Sequence, residues 1–149
     1  MSLHSYSKIL LHIIWGTLNR ENLVTKALKP QIEKYISNCC KELDVYLIEI
    51  YANPDYIHIL VDFPTTITVE DFIKRIKGSS SHYVNKEKLI KTRFGWGRGY
   101  GVFSVSQSNR ERTVDYIRNQ EEHHRIKSFA EEVEQFLEKY GVTKKPKGL

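Results

Sequence analysis

The sequence has few of the features that mark a secreted or membrane protein. Only two cysteines occur in 149 residues. Cys39 and Cys40 are adjacent in a segment with helical spacing, where they are badly placed to bridge each other or to form a C-x-x-C metal site. No apolar run approaches the roughly 18 residues of a membrane span, and the amino terminus has no secretory signal pattern. These absences predict reduced thiols and a cytoplasmic location.

The composition is that of an ordinary globular protein, with 40% hydrophobic and 28% charged residues. A chain of this length can bury enough apolar surface for one core. We therefore expect a single domain over residues 1–141, followed by a short basic tail over residues 142–149.

Positive charge is distributed unevenly along the chain. The whole chain has a net charge of +5, whereas residues 72–100 carry eight basic residues and one acidic residue, a net charge of +7. Glycines and aromatic residues are interleaved with these charges. Such a segment is typical of a solvated face and equally of a groove for single-stranded nucleic acid. The nucleic-acid contacts predicted from it are Lys74, Arg75, Lys77, Trp96 and Arg98.

Residues 55–63 alternate in the way that a half-buried β-strand requires. One face would carry Ile57, Ile59, Val61 and Phe63, and the other Tyr56, His58, Leu60 and Asp62. A histidine in the middle of a sheet is either a hydrogen-bonded structural residue or part of a site. An earlier strand over residues 6–17 carries His12, which we expect in the core rather than as a ligand.

A second polar feature lies on a helix after residue 107. Ser108 and Glu111 have the spacing of a capping box, which predicts that a helix begins there. At about 100° per residue, Tyr116, Gln120 and His123 lie on one side of this helix, away from its few aliphatic residues. Because so thin an apolar face docks weakly by burial alone, the polar side is expected to meet a specific partner.

The remaining pattern predicts strands over residues 45–51 and 102–106, and helices over residues 28–43, from residue 68, and over residues 126–140. Gly78 is expected to end or bend the helix that begins at residue 68. The order of these elements indicates an α+β fold, with a ferredoxin-like antiparallel sheet and helices mainly on one face.

Four short motifs span nearly the whole chain: HIIW at 12–15, NPDYIHIL at 53–60, FIKRIKG at 72–78 and YIRNQ at 116–120. Together they resemble the single-tyrosine HUH transposases of small insertion sequences, the IS200-like family that includes the repeat-associated tyrosine transposases. The signature strand of that family carries a histidine, a hydrophobic residue and a second histidine. Here Tyr56 occupies the position of the first histidine.

The resemblance implies a transposase or nickase that cleaves and rejoins single-stranded DNA at hairpin ends, with Tyr116 as the nucleophile that forms a phosphotyrosine. A phenol with a pKa near 10 is a poor nucleophile at neutral pH, so this chemistry calls for a divalent ion that polarises the phosphate. The resemblance implies Mg²⁺ or Mn²⁺ held by His58 and Gln120, with Tyr56 at the position of a further ligand. It also implies a homodimer in which the tyrosine helix of one chain completes the site of the other.

Tyr56 leaves three outcomes open: a working site with substituted ligands, a weak site, or a DNA-binding protein without cleavage. The candidate substitutes are His12, His123 and His124. The alternative function is therefore a catalytically weakened or inactive protein that binds single-stranded or hairpin DNA on the same fold. A third class, a ferredoxin-like small-molecule or regulatory module, also stays open because that fold has many functions.

Overall fold

A computed structural model describes residues 5–142 of the chain. Within these residues the chain forms four strands and five α-helices. The elements are β1 (Leu10–Gly16), α1 (Leu28–Glu42), β2 (Tyr46–Ala52), β3 (Tyr56–Asp62), α2 (Val69–Lys86), β4 (Gly101–Val105), α3 (Arg110–Arg118), α4 (Gln120–Ile126) and α5 (Phe129–Lys139). The predicted basic tail lies outside the described residues from residue 143 onwards. No helix in the described part is long and apolar enough to cross a bilayer.

The strands form one antiparallel sheet in the order β2-β3-β1-β4. The two central strands are β3 and β1, and six of the seven residues of β3 are buried. This is the ferredoxin-like α+β arrangement that the order of elements predicts, and that prediction is confirmed. Side chains of the central strands are therefore shielded from solvent on both sides of the sheet.

Helices cover both faces of the sheet, which differs from the expectation that they lie mainly on one face. The first face packs Ile13, Ile57 and Ile59 against residues of α1 and α2. The second face carries Tyr56 and Leu60, whose clusters contain residues of α3 and α5. Helices also pack on the second face because β1 and β3 carry large side chains on both sides of the sheet. Consequently α3, α4 and α5 form a separate layer above Tyr56 and His58.

The start of the tyrosine helix differs from the prediction. Ser108 lies in a short 3-10 turn, and α3 begins at Arg110 without a side-chain cap from Asn109. Ser108 Oγ instead contacts Ser106 Oγ at 3.0 Å, and the Glu111 carboxylate pairs with Arg110. The predicted capping box is therefore wrong at this position. A complete capping box occurs at the start of α5, between Ser128 and Glu131.

The helix α2 continues through Gly78 to Lys86, so the predicted end or bend at Gly78 is wrong. The serines that follow this glycine are helical, and their hydroxyls donate to carbonyls three or four residues earlier. The donors are Ser79, Ser80 and Ser81, and their acceptors are the carbonyls of Arg75, Ile76 and Gly78. Thr68 caps the amino end of the helix by accepting from the Asp71 amide.

A glycine inside a continuous helix lowers the free energy of unfolding relative to an alanine at the same position. Replacing Gly78 with Ala should stabilise the protein by about 0.8–1 kcal/mol, because alanine has the higher helix propensity and the added methyl meets nothing within 4 Å. The control is Gly99→Ala, where the backbone has φ +78°, a conformation that costs an L-residue about 1–2 kcal/mol. Urea denaturation of both variants measures the difference. A loss of stability in Gly78→Ala would contradict a continuous α2.

Candidate functional site

The pairing of β1 with β3 brings two buried histidines into contact. Ile14 lies opposite His58 in the register, and His12 is two residues earlier on the same face. His12 Nε2 is 2.7 Å from His58 Nδ1, and both side chains are at most 2% exposed. Burial, followed by the neighbouring His58, holds the pKa of His12 well below its ordinary value. His12 is therefore a core histidine, as expected, and a neutral hydrogen-bond partner of His58 as well.

Tyr56 projects to the same face of β3 as His58 and is completely buried. Its hydroxyl donates to Glu132 Oε2 at 2.6 Å, and its ring lies 4.4 Å from the ring of Phe129, between centroids. Burial, with the hydrogen bond to Glu132, raises the pKa of Tyr56 far above its ordinary value. The tyrosine at the first histidine position is thus a neutral hydrogen-bond donor rather than an unused side chain.

Tyr116 and Gln120 lie on either side of a helix break. The helix α3 ends at Arg118, Asn119 is non-helical, and α4 begins at Gln120. Gln120 Nε2 donates to the Tyr116 carbonyl at 3.2 Å, and Gln120 Oε1 accepts from Asn53 Nδ2 at 3.0 Å. These two bonds direct the amide oxygen of Gln120, which is fully buried, towards Tyr56. Sequence reasoning placed Gln120 near Tyr116 but did not find Asn53.

Glu132 joins these groups, and sequence reasoning missed it. Tyr116 donates its hydroxyl hydrogen bond to Oε1, Tyr56 donates to Oε2, and His58 Nε2 lies 3.1 Å from Oε1. Burial alone would raise the pKa of this carboxyl group. The contacts with His58, Tyr116 and Tyr56 outweigh it and lower the pKa to about 2.

A signal for Glu132 is present in the sequence of α5. Glu132 follows Phe129 by three residues and precedes Phe136 by four, so it lies on the apolar side of that helix. All three side chains are less than 10% exposed. A carboxylate on such a face is rare unless it has a buried partner, and that rule would have identified it.

The candidate substitutes His123 and His124, and Asp62, lie at the margin of the site or away from it. His124 Nε2 contacts Asp55 Oδ1 at 2.8 Å, and the His123 ring lies 4.6 Å from the Tyr116 ring, between centroids. Asp62 is at the far end of β3, where it pairs with Lys8 at 3.1 Å.

A cavity of about 460 Å³ opens onto Tyr116, His12 and Glu132. Arg112 and Lys139 also line it, and both are exposed. The burial and the Glu132 hydrogen bond raise the pKa of Tyr116 well above its ordinary value, so its hydroxyl keeps its proton at neutral pH. A reacting group that enters this cavity would meet a protonated phenol with two cationic side chains nearby.

The structure brings none of the five predicted nucleic-acid contacts to this cavity. Lys74 and Arg75 are on α2, the layer on the opposite face of the sheet, and Arg75 pairs with Asp71. Lys77 Nζ donates to the carbonyls of Gly97 and Gly99.

Trp96 and Arg98 lie in the glycine-containing segment that Lys77 binds. Trp96 Nε1 donates to Ser80 Oγ at 2.8 Å, and its ring meets the Trp15 ring edge-on. Arg98 is exposed and lines a cavity of about 220 Å³ together with Phe129 of α5. Among the predicted contacts, Arg98 is therefore the one placed on the side of the α5 layer.

The two residues implied as metal ligands each offer one donor atom. His58 Nε2 is buried and makes no hydrogen bond within the described residues, and Gln120 Oε1 keeps lone-pair capacity after accepting from Asn53. No group of three or more His, Cys, Asp or Glu side chains in the described part could hold a metal ion. A metal site at this position would therefore need the amide oxygen of Gln120 as a ligand. Imidazole nitrogen and amide oxygen are both ligands of divalent ions.

Two solved structures share this fold. A Deinococcus radiodurans R1 transposase aligns with a TM-score of 0.65 and 23% identity, covering 80% of this chain and 96% of that one. A REP-associated tyrosine transposase, solved with a REP hairpin, aligns with a TM-score of 0.61 and 15% identity, covering 83% of this chain and 74% of that one. The likeness defines the fold class: an α+β domain built on a ferredoxin-like antiparallel sheet.

Sequence comparison narrows the class to a family. The family model described as "Transposase IS200 like" matches residues 5–120. The ISDra2 transposase TnpA of Deinococcus radiodurans is 23% identical over 114 residues, which cover 73% of this chain and 81% of that protein. The transposase for insertion sequence element IS200 of Salmonella typhimurium is 25% identical over 114 residues, which cover 73% and 74%. The chain belongs to the IS200-like transposase family.

The hydrogen bond from Tyr56 to Glu132 should stabilise the fold. Tyr56→Phe leaves Glu132 Oε2 without this donor in a buried position, so we expect the free energy of unfolding to fall by about 1–3 kcal/mol. The control is Tyr46→Phe on β2, where the side chain is 67% exposed. Urea denaturation measures both, and equal stability of the two variants would contradict a structural role for the Tyr56 hydroxyl.

Proposed function

We propose that this chain is a transposase that cleaves and rejoins single-stranded DNA at hairpin ends through a phosphotyrosine at Tyr116. The observation that carries the proposal is the position of the Tyr116 ring beside the His58 ring, with centroids 5.8 Å apart, at the wall of an open cavity. Family membership supports DNA as the substrate. A hairpin as the recognised form is supported by the related structure that was solved with a REP hairpin.

The reaction conserves the energy of the phosphodiester bond. The Tyr116 phenolic oxygen attacks phosphorus and loses its proton as that bond forms, the bond to the leaving sugar oxygen breaks, and that oxygen takes up one proton, so no proton is gained or lost overall. Attack by a sugar hydroxyl on the phosphotyrosine reverses the step and releases the phenol. Because the strand stays attached to the protein between the two steps, no external energy source is needed for rejoining.

The residues around Tyr116 hold it in place rather than ionise it. Glu132 accepts the hydrogen bond from the hydroxyl and keeps the proton at that oxygen, while Gln120 Nε2 binds the Tyr116 carbonyl. His58 and Gln120 would hold a divalent ion, Mg²⁺ or Mn²⁺. Such an ion, when bound, supplies Lewis-acid polarisation of the phosphate and lowers the barrier for a protonated nucleophile.

Substrate phosphates would meet positive charge at the mouth of the cavity. Arg112 and Lys139 line the opening from α3 and α5, and Arg98 lies on the side of the α5 layer. Cationic side chains in these positions neutralise phosphates without selecting a sequence. The DNA strand is therefore proposed to run across the α3 and α5 layer.

A homodimer with shared sites stays a prediction from the family resemblance. In the single chain Tyr116 already contacts Glu132 of the same chain. The helix α3 buries Val114 and Ile117 against the sheet. Sharing of sites would therefore require the exchange of α3 between two chains.

A second candidate function is the binding of single-stranded or hairpin DNA without cleavage. The observation that favours it is the Tyr56 hydroxyl, which donates to Glu132 where the family's motif has a histidine nitrogen. Such a protein would bind the same DNA and form no covalent bond to it.

Tyr116→Phe should abolish covalent attachment to DNA, because phenylalanine has no oxygen to attack the phosphate. The assay incubates an end-labelled single-stranded hairpin with protein and Mn²⁺, followed by denaturing electrophoresis. The matched control, Tyr46→Phe, should form as much adduct as the wild type because Tyr46 is exposed on β2. Persistence of the adduct in Tyr116→Phe would refute this nucleophile, and DNA binding without any adduct would favour the second candidate function.

The basic residues of the α3 and α5 layer should contribute more to DNA binding than those of α2 on the opposite face of the sheet. Replacing Arg112 and Lys139 together with Ala should weaken binding of a single strand and reduce the salt slope by about 1.4, since each lost phosphate contact removes about 0.7. The comparison variant replaces Lys74 and Arg75 with Ala on the opposite face. Fluorescence anisotropy at several salt concentrations gives both slopes, and a reduction only in the α2 variant would place the DNA on α2 instead.

A further inference from the structure

The carboxylate of Glu132 lies outside the region that the family model matches, which ends at residue 120. Its side chain is 3% exposed and is flanked on α5 by Phe129 and Phe136. Burying an ionised carboxylate among aromatic rings is costly unless its charge is compensated. The position of this group therefore calls for hydrogen-bond donors or a cation, and the hydroxyls of Tyr56 and Tyr116 supply two donors.

His58 faces Glu132 in a way that suits a shared cation. His58 Nδ1 lies 2.7 Å from His12 Nε2, and His58 Nε2 lies 3.1 Å from Glu132 Oε1 without a hydrogen bond. When Nδ1 carries the ring proton and donates it to His12, Nε2 presents a lone pair to a negatively charged oxygen. Two acceptors at this distance repel each other unless they share a proton or a metal cation.

The spacing agrees with ligation by one metal ion. Neighbouring ligands on an octahedral ion with bonds of about 2.1 Å lie about 3 Å apart. The observed separation of His58 Nε2 from Glu132 Oε1 is 3.1 Å. Carboxylate and amide oxygens with an imidazole nitrogen form a donor set that suits Mn²⁺ or Mg²⁺.

We propose that Glu132 is the third protein ligand of a divalent cation, together with His58 and Gln120. Glu132 supplies the donor atom that the family's motif takes from the histidine replaced here by Tyr56. This inference rests on the proposed function, because that function is the reason for an ion at this position. It assigns a ligand to α5, a helix that the signature motifs do not include.

Tyr56 and Asn53 then have positioning roles. Tyr56 donates to Glu132 Oε2 at 2.6 Å, so Oε1 stays on the side of His58. Asn53 donates to Gln120 Oε1 at 3.0 Å and, with the bond from Gln120 Nε2 to the Tyr116 carbonyl, selects the orientation of the amide. Hydrogen bonds of this kind fix the orientation of ligands and strengthen metal binding.

Binding of Mn²⁺ to the DNA-free chain tests the proposal. Electron paramagnetic resonance of free Mn²⁺ during a titration should show one bound ion for the wild type. Glu132→Gln and His58→Ala should each weaken binding about tenfold or more. Glu138→Gln, an exposed carboxylate on the same helix, should bind Mn²⁺ like the wild type. Equal affinity of Glu132→Gln and wild type, or no Mn²⁺ bound by the folded wild type, would overturn the proposal.

A second variant separates ligation from folding. Glu132→Asp keeps the charge and withdraws the carboxylate by one methylene group, so we expect a folded protein by circular dichroism with weakened Mn²⁺ binding. Manganese should also raise the melting temperature of the wild type more than that of Glu132→Asp. Undiminished binding and an equal thermal shift in Glu132→Asp would show that the carboxylate is not a ligand.

The outcome also distinguishes this inference from the proposed function. Tyr116→Phe should bind Mn²⁺ at least as well as the wild type, although it forms no DNA adduct. Suppose that the chain forms a Tyr116-dependent adduct and that its Mn²⁺ affinity is the same with and without the Glu132 carboxylate. The ligand assignment would then be wrong, and the transposase proposal would stand. Mn²⁺ binding that depends on Glu132, without any adduct, would support the ligand and refute the cleavage function.

Discussion

One buried carboxylate holds together the half of the protein that carries the site. Glu132 accepts hydrogen bonds from Tyr56 on β3 and Tyr116 on α3, and it faces His58 from α5. An ionised group in an apolar environment is tolerated only where donors or cations surround it, so these elements can pack in few other ways. The position of Tyr116 therefore depends on a helix that follows it in the chain.

The sheet makes this arrangement possible because its two central strands are both hidden. With the order β2-β3-β1-β4, β1 and β3 are neighbours, and their alternate residues face different helical layers. The face towards α1 and α2 is apolar and stabilises the fold. The face towards α3 and α5 carries His12, Tyr56 and His58, with the aromatic rings of Phe129 and Phe136 around them. The candidate site and the larger hydrophobic core thus lie on opposite faces of the same strands.

Charge counted along the sequence was a weaker guide than contacts in space. The segment over residues 72–100 has a net charge of +7, yet Lys77 binds backbone carbonyls and Arg75 pairs with Asp71. Arg112 and Lys139, which line the cavity beside Tyr116, belong to segments that carry acidic residues as well and so did not stand out. A linear count cannot tell which face of a sheet a helix covers.

The sequence by itself determined the strand that carries His58, the spacing of Tyr116 and Gln120, and the order of elements that specifies the sheet, because alternation and helical periodicity are local properties. Only the tertiary structure decided that His12 touches His58, that Asn53 orients Gln120, and that Glu132 faces Tyr56. These contacts join residues 46, 67 and 76 positions apart. Their geometry follows from strand register and from which face each helix covers, and no local pattern encodes either.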